Sequence, residues 1–415
     1  MAAPINPPRG MRDFLPADKA RRERVLAVIK RVYAQHGFDE IETPVVEDFD
    51  RLHAGLGGDN EKLSFSILKR GIDGDDLRAA TEAGDALQLA DLGLRYDLTV
   101  PLARFYASHR AELPSVFRSL QTGPVWRAER PQKGRYRQFV QCDIDILGDA
   151  SPLAEIELIT ATTAALAAVG IEGASVRVND RRILAGLLAS WGISQHLGER
   201  ALITIDKLDK VGVDGVVAEL GELGFETAGI ADSLNEITSA GWELLDGDMP
   251  PAWLDRDAYR HLLALRDAVP SAEMVFDPTL VRGMGYYTGT IFEVAHPGSG
   301  SSVAGGGRYD GMIGRFLGQD VPAVGFSIGF ERILELLPDA GADAEDALVL
   351  VYDADLDPAL VVRAKSQALE TAGRVRLERR PRNLGKLLDT LAADGWTHFA
   401  TVSADGTVGQ AKQLG

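Results

Sequence analysis

A single cysteine, Cys142, stands among 415 residues, so no disulfide can form within the chain. It falls on the apolar face of a strand-like segment and reads as a small core side chain, not a nucleophile. Long apolar runs are missing too. Nothing approaches the roughly 18 residues that cross a bilayer, and the opening MAAPINPPRGMRDFLP lacks the apolar stretch of a secretion signal, so a cytoplasmic protein without membrane contact is expected. Positive charge is scarce: 44 Lys and Arg stand against 61 Asp and Glu, and the net charge of −17 argues against indiscriminate coating of nucleic acid. The seven histidines (His36, His53, His109, His196, His261, His296 and His398) never fall at metal-ligand spacing with one another or with Cys142, which argues against a structural zinc site. Repeats, low-complexity tracts and heptads are also absent. What is left is an ordinary globular composition, 45% hydrophobic and 25% charged, long enough for two or three domains.

The most informative segment present is VWRAERPQKGRYRQFVQCDIDILG, residues 125–148. Val140, Cys142, Ile144 and Ile146 alternate with Gln141, Asp143 and Asp145, and a period of two places the sets on opposite faces of one strand. The acidic face reads as a polar pocket for a cation, against the plainer reading of a solvated surface strand. Upstream, a strand-like run from Val116 to Trp126 ends at Arg127, and Arg130, Lys133, Arg135 and Arg137 surround Gly134 in a basic loop. This is either an anion site or an ordinary hairpin with a solvated tip. GLRYDLTVP, residues 93–101, repeats the alternation: Leu94, Tyr96, Leu98 and Val100 against Arg95, Asp97 and Thr99. LVRGMGYYTGTIFEV, residues 280–294, runs from Arg282 in a glycine-rich turn through Tyr286 and Tyr287 into a strand.

Between and around these lie a helix over Lys19–His36, a strand broken at Pro44, an acidic insertion from Gly71 to Asp91, and an apolar helix over Ala154–Val169. The pattern is mostly helical from Ser175 to Ala272, and strand alternation resumes at Glu273. FSIGFERILELLP buries one helical face through Phe330, Ile333, Leu334 and Leu337, with Arg332 near its start. After a Gly, Ala and Asp stretch around 338–346, alternating strands and helices mark a small separate domain, with a basic cluster at Arg374, Arg376, Arg379, Arg380, Arg382 and Lys386 opposed within the segment only by Glu378. AGGGRYDG lacks the lysine and hydroxyl of a P-loop, and GMGYYTG has the wrong spacing for a dinucleotide fingerprint. A nucleotide is expected by another route, through convergence of Arg127, Arg282 and Arg332 on a polyphosphate.

Taken together, these segments resemble the class II aminoacyl-tRNA synthetases, and specifically the histidyl-tRNA synthetase family. FRSLQTGPVWRAERPQKGRYRQF looks like the second class motif, GFSIGFERI like the third and the Pro44 region like the first, while LVRGMGYYTGTIFE and GGGRYDG are similar to the two histidine-specific signatures. Gly285 departs from the pattern, standing where many members carry aspartate. The resemblance implies an α+β fold: a class II antiparallel sheet flanked by helices, with a helical insertion and a C-terminal α/β anticodon-binding domain. Its implied boundaries are a catalytic core over 1–174 and 273–338, an insertion over 175–272 and a C-terminal domain over 345–415. It implies ATP-dependent activation of L-histidine with Mg2+ and transfer to tRNA(His), by a homodimer. Arg127, Arg282 and Arg332 would be catalytic. Asp97, Thr99, Arg127, Gln141, Asp145, Arg282, Tyr286, Tyr287 and Tyr309 would bind histidine, and Arg127, Glu129, Arg135, Arg282 and Arg332 would bind ATP. The loop 130–137 would meet the tRNA acceptor end and the cluster 374–386 the anticodon. The alternative is a non-catalytic paralogue serving as regulatory subunit of ATP phosphoribosyltransferase; such paralogues typically lose the catalytic arginines and the C-terminal domain.

Overall fold

The computed structural model describes residues 5–53, 63–131, 134–245, 250–281, 285–338 and 347–414. Its chain begins with helix α1 (Pro16–Gln35), strands β1 (Asp39–Glu40) and β2 (Val46–Asp48), and a single turn α2 (Phe49–His53). Strand β3 (Phe65–Leu68), helix α3 (Gly74–Ala83) and strand β4 (Ala90–Leu94) follow. Here α3 is fixed by a capping box between Asp73 and Asp76 and stopped by Gly84 in the left-handed region. These residues hold the acidic insertion expected at 71–91, and β2, β4 and β3 form a sheet of their own.

Strand alternation over 94–100 does not hold. β4 ends at Leu94, and Thr99 opens helix α4 (Thr99–His109). Pro101 lies in the first helical turn, where its missing N–H is no loss, and the Asp97 carboxylate accepts the Val100 amide at 3.1 Å. All of residues 96–100 are buried, so the apparent alternation did not separate a wet face from a dry one.

The basic loop joins two long strands, β5 (Phe117–Trp126) and β6 (Gln138–Leu147), paired antiparallel from Phe117 opposite Leu147 to Trp126 opposite Gln138. Helix α5 (Leu153–Ala168) packs against β6. Residues Ser175–Asp180 then form strand β7, so the helical run begins six residues later than the sequence pattern suggests: α6 (Arg181–Ser190), α7 (Gln195–Ile205), α8 (Leu208–Glu222), α9 (Ile230–Ala240) and α10 (Arg256–Ala268). The caps at Asp180 and Asp255 explain two of these starts, each carboxylate accepting an amide of the first turn at 2.9 Å. Leu184, Leu187, Leu202, Val216, Leu220 and Leu234 give α6 to α9 a common core.

Strands β8 (Glu273–Phe276), β9 (Thr290–Ala295), β10 (Ala304–Arg308), helix α11 (Asp310–Leu317), strand β11 (Ala323–Gly329) and helix α12 (Phe330–Leu336) complete the main body. Its sheet has eight strands in the order β1-β5-β6-β11-β10-β9-β7-β8, antiparallel except at the two outer pairs. This is an α+β fold built on an antiparallel-rich sheet. Last come β12 (Ala347–Tyr352), α13 (Pro358–Ala368), β13 (Arg374–Arg379), α14 (Leu384–Ala393), β14 (His398–Thr401) and β15 (Lys412–Gln413). Leu348 and Leu350 pack on Ala364 and Ala368, while Val349 and Val351 pack with Leu391, so α13 and α14 cover opposite faces of a parallel β13-β12-β14 sheet. By compactness, residues Asp13–Val25 group with Leu337–Gly415 and the remainder forms the other unit. Among the described residues no helix is long and apolar enough to cross a membrane.

Glycine is required where strands meet. A Cβ on Gly306 would lie 1.9 Å from the Gly325 carbonyl oxygen and 2.8 Å from Phe292. We expect Gly306→Ala to lower the free energy of unfolding by roughly 1–3 kcal/mol, the usual effect of overpacking. Urea denaturation would measure it, and an unchanged midpoint would mean the strands are not held this closely.

Candidate functional site

A cavity of about 630 Å³ opens over β6, β11, β10 and β9. It brings together Asp97, Thr99, Arg127, Glu129, Arg135, Gln141, Asp145, Tyr286, Tyr287, Tyr309 and Arg332 in its lining. Arg282 lies outside the described residues. The lining also includes Asp143, which the strand alternation had set on the acidic pocket face without a role of its own, and Ser302, Ser327 and Glu331, for which the sequence suggested no ligand-binding role.

Sheet register explains the floor. Gln141, Asp143 and Asp145 face Gly329, Ser327 and Gly325 across the β6–β11 pairing. A Cβ on Gly325 would lie 1.9 Å from the Asp145 carboxylate, so glycine there leaves room for the acid. Asp145 accepts a hydrogen bond of 2.6 Å from the Tyr309 hydroxyl. Tyr286 stacks beside it, its ring 4.8 Å from that of Tyr287 and 5.9 Å from that of Tyr309. Gln141 donates its amide nitrogen to Ser327 Oγ at 2.7 Å, and its carbonyl oxygen is buried with no hydrogen-bond partner among the described residues. One oxygen of Asp97 is likewise buried and unpaired. Two acceptors left unpaired among the described residues, in one cavity, suit a donor brought by a ligand.

The other end is basic. Arg127 Nε donates to the Tyr96 carbonyl at 3.0 Å, and its guanidinium sits 5.1 Å from the Phe139 ring centroid. Arg135 pairs with Glu129 at 3.2 Å, and Arg332 donates to the Ser302 carbonyl from the third position of α12. The backbone closes the loop at its base, Arg127 N to Arg137 O at 2.9 Å.

Burial dominates the electrostatics. It pushes the Asp97 carboxyl up to about 6 against the opposing pull of the Val100 amide and Arg127. It pushes Asp145 up to about 7, although the Tyr309 hydroxyl pulls it down, while the Asp97 charge adds to the rise. Asp143 is held well above the carboxylate range by burial and by its neighbour Asp145. Three desolvated acids around one unbonded space suit a cationic ligand, and the arginines beside them suit an anionic one. The fold and cavity thus define a protein that holds a small zwitterion next to a polyanion.

Comparison with known proteins narrows this class. The family model for histidyl-tRNA synthetase matches residues 10–333. A histidine--tRNA ligase of Leifsonia xyli subsp. xyli is 60% identical, over 98% of this chain and 97% of the relative. The crystal structure of histidyl-tRNA synthetase from Nostoc sp. PCC 7120 superposes with a TM-score of 0.74 at 27% identity, covering 97% of this chain and 93% of that one. An ATP phosphoribosyltransferase regulatory subunit/histidyl-tRNA synthetase from Bacillus halodurans C shares the fold, with a TM-score of 0.76 at 20% identity over 97% and 99% of the two chains. The chain belongs to the histidyl-tRNA synthetase family.

Because the folded pKa of Asp145 lies above its unfolded value of 3.8, the folded protein retains a proton that the unfolded chain releases between those limits. Stability from this group therefore falls as pH rises from about 4 to about 7 and stays low above that. Asp145→Asn, which can still accept from Tyr309, is expected to stabilise the unliganded protein by an order of 1 kcal/mol or more at pH 8 and by little at pH 4.5. Urea melts at the two pH values test this; equal differences would place the titration elsewhere.

Proposed function

We propose that the protein activates L-histidine with ATP to histidyl-adenylate and transfers the histidyl group to the 3′ end of tRNA(His). The observation that carries this reading is the pair of orphan acceptors, Asp97 and Gln141, in the same cavity as the Asp145–Tyr309 pair and Arg127. The acceptors and Thr99 suit the α-ammonium. Asp145, Tyr287 and the ring wall of Tyr286 and Tyr309 suit an imidazole, whose N–H finds its acceptor in Asp145. Arg127 suits the amino acid carboxylate and the α-phosphate together.

In the proposed reaction a carboxylate oxygen of histidine attacks the α-phosphorus of ATP, the bond to the bridging oxygen breaks and pyrophosphate leaves. Little covalent help is needed from the protein, so placement and charge stabilisation account for most of the acceleration. Arg127 and Arg282 would stabilise the charge that accumulates on the α-phosphate. Arg332 would hold the far phosphates and the adenine, and Glu129 with Arg135 would complete the ATP contacts. Among the described residues no group of three carboxylate, thiol or imidazole side chains could hold a metal by itself. Magnesium is written here as part of the substrate, bound to the ATP phosphates.

Loop 130–137 is proposed to meet the acceptor end of tRNA, and the C-terminal domain, residues 345–415, the anticodon. In that domain Arg374 lies 3.9 Å over the Trp396 ring, and Asp353 pairs with Arg380 at 2.7 Å, a second counter-charge to the basic cluster besides Glu378. A cytoplasmic homodimer is the proposed setting. The regulatory-subunit alternative is not favoured: the chain is 60% identical to a histidine--tRNA ligase, and Arg127 and Arg332 line the cavity.

Purified protein is expected to exchange pyrophosphate into ATP only when histidine is present; exchange that ignores histidine would defeat the proposal. Arg282→Ala is expected to slow single-turnover adenylate formation by about 10²-fold or more, as for removal of a transition-state donor. A normal rate would remove Arg282 from the chemistry. Asp145→Ala is expected to raise KM for histidine strongly while altering KM for ATP little, because a buried N–H would lose its acceptor. Equal changes in both would place Asp145 outside the imidazole pocket.

A further inference from the structure

Arg95 is 4% exposed and forms no ion pair with any described carboxylate. A buried, unpaired guanidinium is expensive, and its hydrogen bonds show what retains it. Nε donates to the Pro124 carbonyl at 3.0 Å, and Nη1 donates to the Thr43 carbonyl at 2.8 Å, to Thr43 Oγ1 at 3.2 Å and to the Pro44 carbonyl at 3.4 Å. Its backbone adds two more links, Arg95 N to Val45 O at 3.0 Å and Trp126 N to Arg95 O at 2.9 Å. Gly123 makes room for it, since a Cβ there would sit 2.4 Å from Nη2.

The clasped groups lie beside two halves of the cavity. Asp97 is two residues along the chain from Arg95, and Arg127 is three from Pro124 and one from Trp126. A further bond joins the same stretches, from Arg127 Nε to Tyr96 O at 3.0 Å. Asp97 and Arg127 come from different segments, one before α4 and one after β5. An α-amino acid carries its ammonium and carboxylate on one carbon, so a site reading both must hold acid and guanidinium at one fixed separation.

We propose that Arg95 is a positioning residue that sets the spacing between Asp97 and Arg127, and so the recognition of histidine as a zwitterion. The inference rests on the histidine-activating reading above. Lysine at 95 keeps the charge but loses the rigid planar fork, so it holds carbonyls of two segments at a less fixed separation.

The test compares wild type with Arg95→Lys and with Gly123→Ala, which pushes the guanidinium off its carbonyls without removing it. In pyrophosphate exchange, both variants are expected to show KM for histidine raised about tenfold or more and KM for ATP changed less than about twofold, in keeping with the sensitivity of bound geometry to displacements near 1 Å. Calorimetric binding of L-histidine and of L-histidinol, which lacks the carboxylate, adds a readout that fold damage alone does not move: the preference for histidine over histidinol is expected to shrink in both variants. Unchanged KM and unchanged preference in folded variants overturn the proposal, as does a lower active fraction with normal KM, which would make Arg95 merely structural. Loss of histidine-dependent exchange in the wild type would instead refute the reading on which the inference rests.

Discussion

The structure depends on burying three carboxylates, Asp97, Asp143 and Asp145, around one cavity that Arg127 also lines, its charge acting on Asp97 and Asp143. Desolvation alone would protonate such a cluster, and the raised positions of all three acids follow from it. The remaining architecture accommodates that choice. β6 turns its acids to the cavity and Cys142, Ile144 and Ile146 to the opposite face, where α5 packs against the strand. β11 and β10 answer with glycines, which bring backbone close without filling the space. Tyr309 donates to Asp145, and Ser327 accepts from the Gln141 amide, which ties the polar floor to the strands around it. Acids desolvated in this way cost the unliganded protein stability at neutral pH.

Much of this was legible in the sequence because the residues that matter alternate. Gln141, Asp143 and Asp145 share a face that period two predicts, and the hairpin around Gly134 forms where the basic loop lies between two strand-like runs. The C-terminal β and α alternation gives a parallel sheet covered on both faces. Residues 95–100 misled because everything there is buried: a loop and a helix start can imitate a strand when neither side meets water. Ser175–Asp180 was absorbed into the helical run because only its partners, β9 on one side and β8 on the other, distinguish six residues of strand from the start of a helix.

Pairwise geometry was out of reach. Nothing in a linear pattern says that β6 lies beside β11, or that Ser327 will orient the Gln141 amide. Arg95 shows the limit most clearly. Its spacing set it with Asp97 and Thr99 on one polar face, yet its side chain turns to the carbonyls of Thr43 and Pro124 and is absent from the cavity lining. A charged residue in a motif reads as a ligand contact, and only coordinates separate touching the ligand from holding what touches it.

The neighbour order of the large sheet also bears on how the protein is made. β6 ends at Leu147, whereas the strand that completes it, β11, starts at Ala323. At ordinary elongation rates a ribosome needs on the order of ten seconds or more to supply that partner. Throughout that interval the acid-bearing strand has an unfilled edge, open to pairing with other nascent chains. Charged side chains discourage edge pairing, so Asp143 and Asp145, which line the pocket in the finished protein, are also the residues on β6 that disfavour it.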